Sequence, residues 1–148
     1  MEEPTRSAEF PVGESFARTL TEATQSLVCV LDREGRILLF NEACERATGF
    51  RRAELIGRDA RDFVIPPEER EAFGEFLDYV WQTGTPSPQV GHWLTRDGGR
   101  RLIAWSNKPM AGADGMPASL VTTGIDLTDR ERREDEEDRR SLEGDPAA

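Results

Sequence analysis

Histidine and lysine occur once each, as His92 and Lys108, and cysteine only twice, as Cys29 and Cys44. Two separated thiols and one imidazole are too few for a disulfide framework or a zinc-type site. Both cysteines lie in apolar settings, where a thiol packs as a small hydrophobe. With one histidine, dispersed carboxylates and no phosphate-binding glycine loop, no nucleophile–base–orienter grouping can be assembled, so no catalytic site is expected. Positive charge is also outweighed: the net charge is −10, which argues against nucleic-acid binding, where a basic patch supplies most of the affinity, and against an anionic membrane surface. The basic residues are almost all arginine, a compositional bias without mechanistic meaning. No apolar run approaches the ~18 residues of a membrane span, and Met1 leads into acidic residues, not a signal peptide. A cytoplasmic protein is expected.

What the sequence does hold is a well-punctuated single domain. Residues 1–13 are polar, with Pro4, Pro11 and Gly13, and form a loose leader. "ESFARTLTEA" sets Phe16, Leu20 and Ala23 on one stripe of a short amphipathic helix, assigned to residues 14–25. "LVCVLDREGRILLFN" is two apolar runs around Asp32-Arg33-Glu34-Gly35, a β-hairpin. Asn41 then caps a helix that stops at Gly49, and "RRAELIG" adds a helical turn ending at Gly57. The clearest helix spans Pro67 to Thr83, with Phe73, Phe76, Leu77, Val80 and Trp81 on one stripe and Gly84 as its stop. A hairpin about Asp97-Gly98-Gly99 and a last strand, "SLVTTGIDL", follow. Thr128 and Glu131 form a T-x-x-E capping box that starts a charged helix over residues 128–142, before a tail at 143–148. Five antiparallel strands with helices grouped between the second and third make an α+β class.

The pieces "VLDREGRILLFNEACERATGF", "ELIG", "RRLIAWSNKPM" and "GIDLTDR", in this order and spacing, resemble the PAS domain family across a core assigned to residues 26–127. The resemblance implies a five-stranded antiparallel sheet with helices cupping one face. The cavity between holds a cofactor, a metabolite or only side chains. It also implies a sensory and dimerisation module of a bacterial signalling protein. Such modules act through a kinase, phosphatase, cyclase or DNA-binding effector on a longer chain, in two-component relays or the regulation of transcription.

Strand alternation, placed by this resemblance, turns Leu27, Cys29 and Leu31 toward the helices, with Trp93, Ile103, Trp105, Asn107, Leu120, Thr122 and Gly124 on the same face. Cys44, Ala47, Ile56 and Phe63 close the pocket from the helical side. Most of these are apolar, which suits either a filled core or an apolar site. Asn107 and Thr122 are the polar exceptions. A buried amide without partners costs about 1–3 kcal/mol, so it is paired within the protein or bonds a ligand. A small planar or apolar ligand near Trp93 and Trp105 is the expectation, its identity unknown.

The stretch "GRDARDFV", Gly57 to Val64, tests the cofactor alternatives. The flavin photosensors of the family, the LOV domains, carry G-R-N-C-R-F-L-Q there. Their cysteine forms the flavin adduct, the asparagine and glutamine bond flavin, and the arginine grips its phosphate. Here Ala60 replaces the thiol, and Asp59 and Val64 replace the amides, so adduct chemistry is impossible at that position. Haem-binding members commonly offer a histidine from the long helix. This one has none, and parity turns His92 to the outer face. Arg58 and Arg61 are expected to pair with neighbouring carboxylates. No metal is expected.

The opposite parity gives an outer face of Val28, Val30, Leu94, Leu102, Ala104, Val121 and Ile125, too apolar to be left to water. A parallel homodimer is expected, burying this face under Phe16 and Leu20 of the first helix and a second copy. In the family, the strand end Asp126-Leu127-Thr128 passes signal into the following helix. That helix has no a/d repeat and would make a poor coiled coil alone.

Overall fold

The computed structural model describes residues 19–20, 25–85 and 88–143. The described chain runs β1 (Leu27–Asp32), β2 (Ile37–Phe40), α1 (Glu42–Thr48), α2 (Arg52–Leu55), two 3₁₀ turns (Ala60–Asp62 and Pro67–Glu69), α3 (Arg70–Thr83), β3 (Gln89–Leu94), β4 (Arg100–Ala111), β5 (Pro117–Asp126) and α4 (Thr128–Glu143). This is the α+β arrangement expected.

Local chemistry explains most boundaries. Gly35 takes φ 92° and closes the first hairpin, its N–H donating to Asp32 O at 3.1 Å. Asn41 is buried and does three jobs. Its Oδ1 accepts from the N–H of Cys44 (3.1 Å) and of Val28 (3.0 Å), and its Nδ2 donates to Ser26 O (3.0 Å). One side chain thus caps α1 and fixes it to the start of β1. Pro67 opens a 3₁₀ turn instead of the α-helix itself, which begins at Arg70 and ends at Gly84 in the left-handed region.

The sheet is antiparallel throughout, in the order β2-β1-β5-β4-β3. Cys29 lies opposite Thr122, Leu31 opposite Leu120, and Asn107 opposite Thr122 from the other side. Leu27, Cys29 and Leu31 bury inward with Ile37, Phe40, Cys44, Leu55, Val64, Leu77, Val80, Ile103 and Leu120. Gly124 matters here, because a Cβ on it would lie 2.7 Å from Ile103 Cγ2 and from two ring carbons of Trp105. Its bare backbone lets the Trp105 indole lie flat on β5.

The segment after α2 touches both margins of the sheet. Ile37 of β2 exchanges bonds with it, N–H to Arg58 O (2.9 Å) and O from Gly57 N–H (2.7 Å). On β3, Leu94 N–H donates to Val64 O (2.8 Å) and His92 N–H to Glu69 Oε1 (3.1 Å).

Several expectations are corrected. On the outer face Val28 is buried, Val30, Leu94, Leu102, Ala104 and Val121 are half-buried, and only Ile125 of the set is exposed, at 62%. Of the expected first helix, Thr19 and Leu20 are described and helical, and Leu20 is 60% exposed. Phe16, the leader and residues 144–148 lie outside the described residues. The Thr128 capping box is not formed as expected. Thr128 Oγ instead accepts from Leu102 N–H (2.8 Å), tying the start of α4 to β4, while Glu131 N–H donates to Leu127 O (2.8 Å). Among the described residues no helix is long and apolar enough to cross a membrane.

Candidate ligand-binding site

A cleft of about 220 Å³ lies between α3 and the β3–β4 end of the sheet. Its helical wall is Ala60, Ile65, Glu69, Ala72, Phe73 and Phe76; its sheet wall is residues 89–93 with Trp105, Asn107 and Thr122. The aromatic side chains hold one another. Trp93 stacks on Phe40 with centroids 5.7 Å apart and meets Trp105 at 4.7 Å. The mouth is at the exposed Ala72, Gln89 and Val90. The volume is below the ~300–1,000 Å³ of drug-sized pockets, so it suits a slender or small ligand.

The polar groups are few. Thr122 is buried and its hydroxyl donates to Cys29 O at 2.6 Å. Asn107, 7% exposed, is its cross-strand neighbour on the cleft floor. At the rim, Glu69 takes the backbone N–H of His92 with one oxygen and meets His92 Nδ1 at 2.9 Å with the other. This corrects the outer-face placement of His92. The histidine is on the edge strand, and its side chain turns round that edge to a carboxylate delivered by the turn before α3.

The Gly57–Val64 bend is held by internal pairing. Arg61 grips Asp59 with two bonds of 2.9 Å and donates to Glu34 O at 2.7 Å, its guanidinium 5.9 Å from the Phe73 ring centroid. Burial pushes the Asp59 carboxyl up, but the Arg61 hydrogen bonds and charge outweigh it and hold the group below its ordinary value. Arg58 lies over the Phe63 ring at 5.8 Å. Ala60 is buried and borders the cleft.

The expected pocket residues separate into three groups. Trp93, Trp105, Asn107 and Thr122 line the cleft together. Cys29, Leu31, Cys44, Ile103 and Leu120 are packed into the core, outside the cleft lining. Burial pushes the Cys44 thiol up to about 12 and raises Cys29 well above its usual value, which disfavours the reactive thiolate at both. Ile56 and Phe63 are corrected. Ile56 is 44% exposed because α2 ends there, at ψ 129°, and Leu55 takes the inward place. Phe63 is half-buried in an edge contact with Phe50 at 6.0 Å, and Val64 fills the core instead. Sequence reasoning missed Glu69, Ala72, Gln89 and Gly91 as cleft residues. No local signal marks them, since where α3 crosses β3 is a tertiary outcome.

At the far end, Asp126 gathers three partners: Thr128 N–H (2.9 Å), the Thr128 hydroxyl and Arg101 Nε (2.7 Å). Burial raises this carboxyl, and the Thr128 and Arg101 bonds override it, so it stays below the ordinary value. The junction couples β4, β5 and α4.

Comparison with known proteins agrees with this architecture. A family model described as the PAS fold matches residues 21–132. The chain is 26% identical over 133 residues to the cyclic di-GMP phosphodiesterase PdeR of Escherichia coli, a match covering 89% of this chain and 20% of that protein. It thus spans about a fifth of that relative's length. The PAS domain of the RpfR quorum-sensing receptor of Cronobacter turicensis, solved in complex with BDSF and with C12:0, is similar at 28% identity. The BDSF complex superposes with TM-score 0.62 over 71% of this chain and 96% of that one, the C12:0 complex with 0.63. A PAS domain from Colwellia psychrerythraea superposes with TM-score 0.70 at 16% identity, over 78% of this chain and 97% of that one, a likeness of fold alone.

Proposed function

The chain belongs to the PAS family of sensory domains, and on that premise we propose that it is a non-catalytic sensor whose α3–sheet cleft takes a slender, largely aliphatic molecule. The observation that carries the proposal is the cleft itself, walled by Phe73, Phe76, Trp93 and Trp105 with Asn107 and Thr122 on its floor. Few polar groups in an apolar cavity orient a ligand while burial supplies the affinity. The C12:0 complex of the RpfR domain supports an acyl chain as the ligand class.

In this proposal occupancy moves Trp105 and β4, and with them the Arg101–Asp126–Thr128 junction that launches α4. Output passes to a signalling partner domain, and the PdeR match favours one that turns over a cyclic dinucleotide. Two copies associate through the outer sheet face, where Ile125 is exposed beside half-buried Leu102, Ala104 and Val121. A monomeric mass by light scattering at high concentration would remove the dimer from this scheme.

The ligand is tested by titrating the protein with a series of saturated acyl compounds, following native mass and melting temperature. One bound molecule per chain is expected. At a ligand concentration a hundred times Kd, stabilisation of about 2.7 kcal/mol follows from mass action. Absence of binding across the series would leave only a packed docking module.

A further inference from the structure

We infer that the cleft selects an aliphatic ligand whose polar end is uncharged, an alcohol or a carboxamide, over the carboxylate of equal chain length. The inference rests on the reading of the cleft as a ligand site and deepens it. Its basis is the charge around the cavity.

Among the lining residues Glu69 holds the one carboxylate and His92 the one imidazole, and they face each other at 2.9 Å on the rim. Any positive charge on His92 is therefore matched by Glu69, which leaves none over for an entering anion. Arg61 is the arginine placed beside the Phe73 ring. Its Nε and Nη2 are already bonded to the Asp59 carboxylate and the Glu34 carbonyl. The whole chain carries −10, so the surrounding potential also opposes an anion.

The floor gives the same preference by hydrogen-bond type. A carboxylate accepts only, whereas a hydroxyl or carboxamide both donates and accepts. Thr122 has committed its proton to Cys29 O, so toward the cleft its oxygen acts as an acceptor. An acceptor-only head meets an oxygen with no proton to give it, while a hydroxyl or NH₂ head matches. Burying a carboxylate without a partnering cation is also far costlier than burying a neutral hydrogen-bonding group.

The test is calorimetric titration of the whole chain with decanoate, decan-1-ol and decanamide, at a pH where the acid is fully ionised. Equal chain length cancels apolar burial, so the head group decides. The neutral compounds are expected to bind tighter by about tenfold or more, and Glu69→Gln is expected to narrow that gap. Decanoate binding as tightly as the alcohol, or a gap untouched by Glu69→Gln, overturns the inference and leaves the ligand site standing. If none of the three binds, the ligand site falls and the inference with it.

Discussion

Gly124→Ala is the most informative single substitution. The added methyl would lie 2.7 Å from Ile103 Cγ2, which belongs to a fully buried side chain, and 2.7 Å from Trp105 Cε3 and Cζ3. Ile103 has nowhere to go, so the half-buried indole must lift off β5 toward the cleft and Trp93. Two terms compete. Replacing glycine within a strand gains about 0.5–1 kcal/mol of backbone entropy, and forcing a methyl into a packed site costs about 1–3 kcal/mol. A net loss of roughly 0–2.5 kcal/mol follows, a fall in Tm of up to roughly 10 °C for a domain of this size. Urea denaturation gives the free energy, and near-UV circular dichroism reports the displaced Trp93–Trp105 pair. In a Trp105→Leu background the same change should cost less, because only the Ile103 contact remains, a coupling within the usual range of about 0.5–3 kcal/mol. If Gly124→Ala alone is as stable as the parent and leaves the near-UV spectrum unchanged, the close approach of Trp105 to β5 is wrong.

Three further outcomes are expected. Asn41→Ala removes the α1 cap and strands the buried Val28 N–H, costing about 2–4 kcal/mol in urea titration; a loss below half a unit would deny Asn41 its double role. Asp126 has a depressed folded value, so its contribution is present above the unfolded value of ~3.9 and is lost as pH falls through the lower folded one. Asp126→Asn should therefore lower the urea midpoint at neutral pH, with the gap to the parent closing below about pH 4; a gap that stays constant down to acid pH contradicts this. Finally, Cys29 and Cys44 should resist a thiol reagent in the native protein and react fully after denaturation, and rapid native labelling would refute their burial.

How far the sequence could be followed depended on the range of the forces involved. The hairpin at Gly35, the Asn41 cap and the stops at Gly49 and Gly84 rest on neighbours in the chain, so they were legible. So was strand parity, which set Asn107 and Thr122 on one inner face as cross-strand partners. Side-chain direction at short turns was not legible. At Ile56 the exit dihedral of a one-turn helix decides which residue faces inward, and at Phe63 a 3₁₀ turn hands the core to Val64. The Thr128 capping box failed for a different reason, because Leu102, twenty-six residues earlier, competes for the same hydroxyl. The cleft was half legible. Alternation identified its sheet wall, but the height at which α3 crosses β3 is a tertiary outcome, so Glu69 and its hold on His92 were invisible.

The stretch from Gly57 to Glu69 meets β2 at one margin of the sheet and β3 at the other. Bare margins invite a stranger's backbone to dock and extend the ladder, the route by which β-proteins polymerise. Here a single crossing strap occupies amide groups on both rims, so the same residues that shape the cavity also protect the fold from runaway stacking. On the β3 side the guards are the Val64 carbonyl and the Glu69 side chain, and Glu69 also borders the cleft. Moving Glu69 away from His92 would bare one amide of that rim while Val64 kept the other, so edge protection and cavity wall share a single carboxylate.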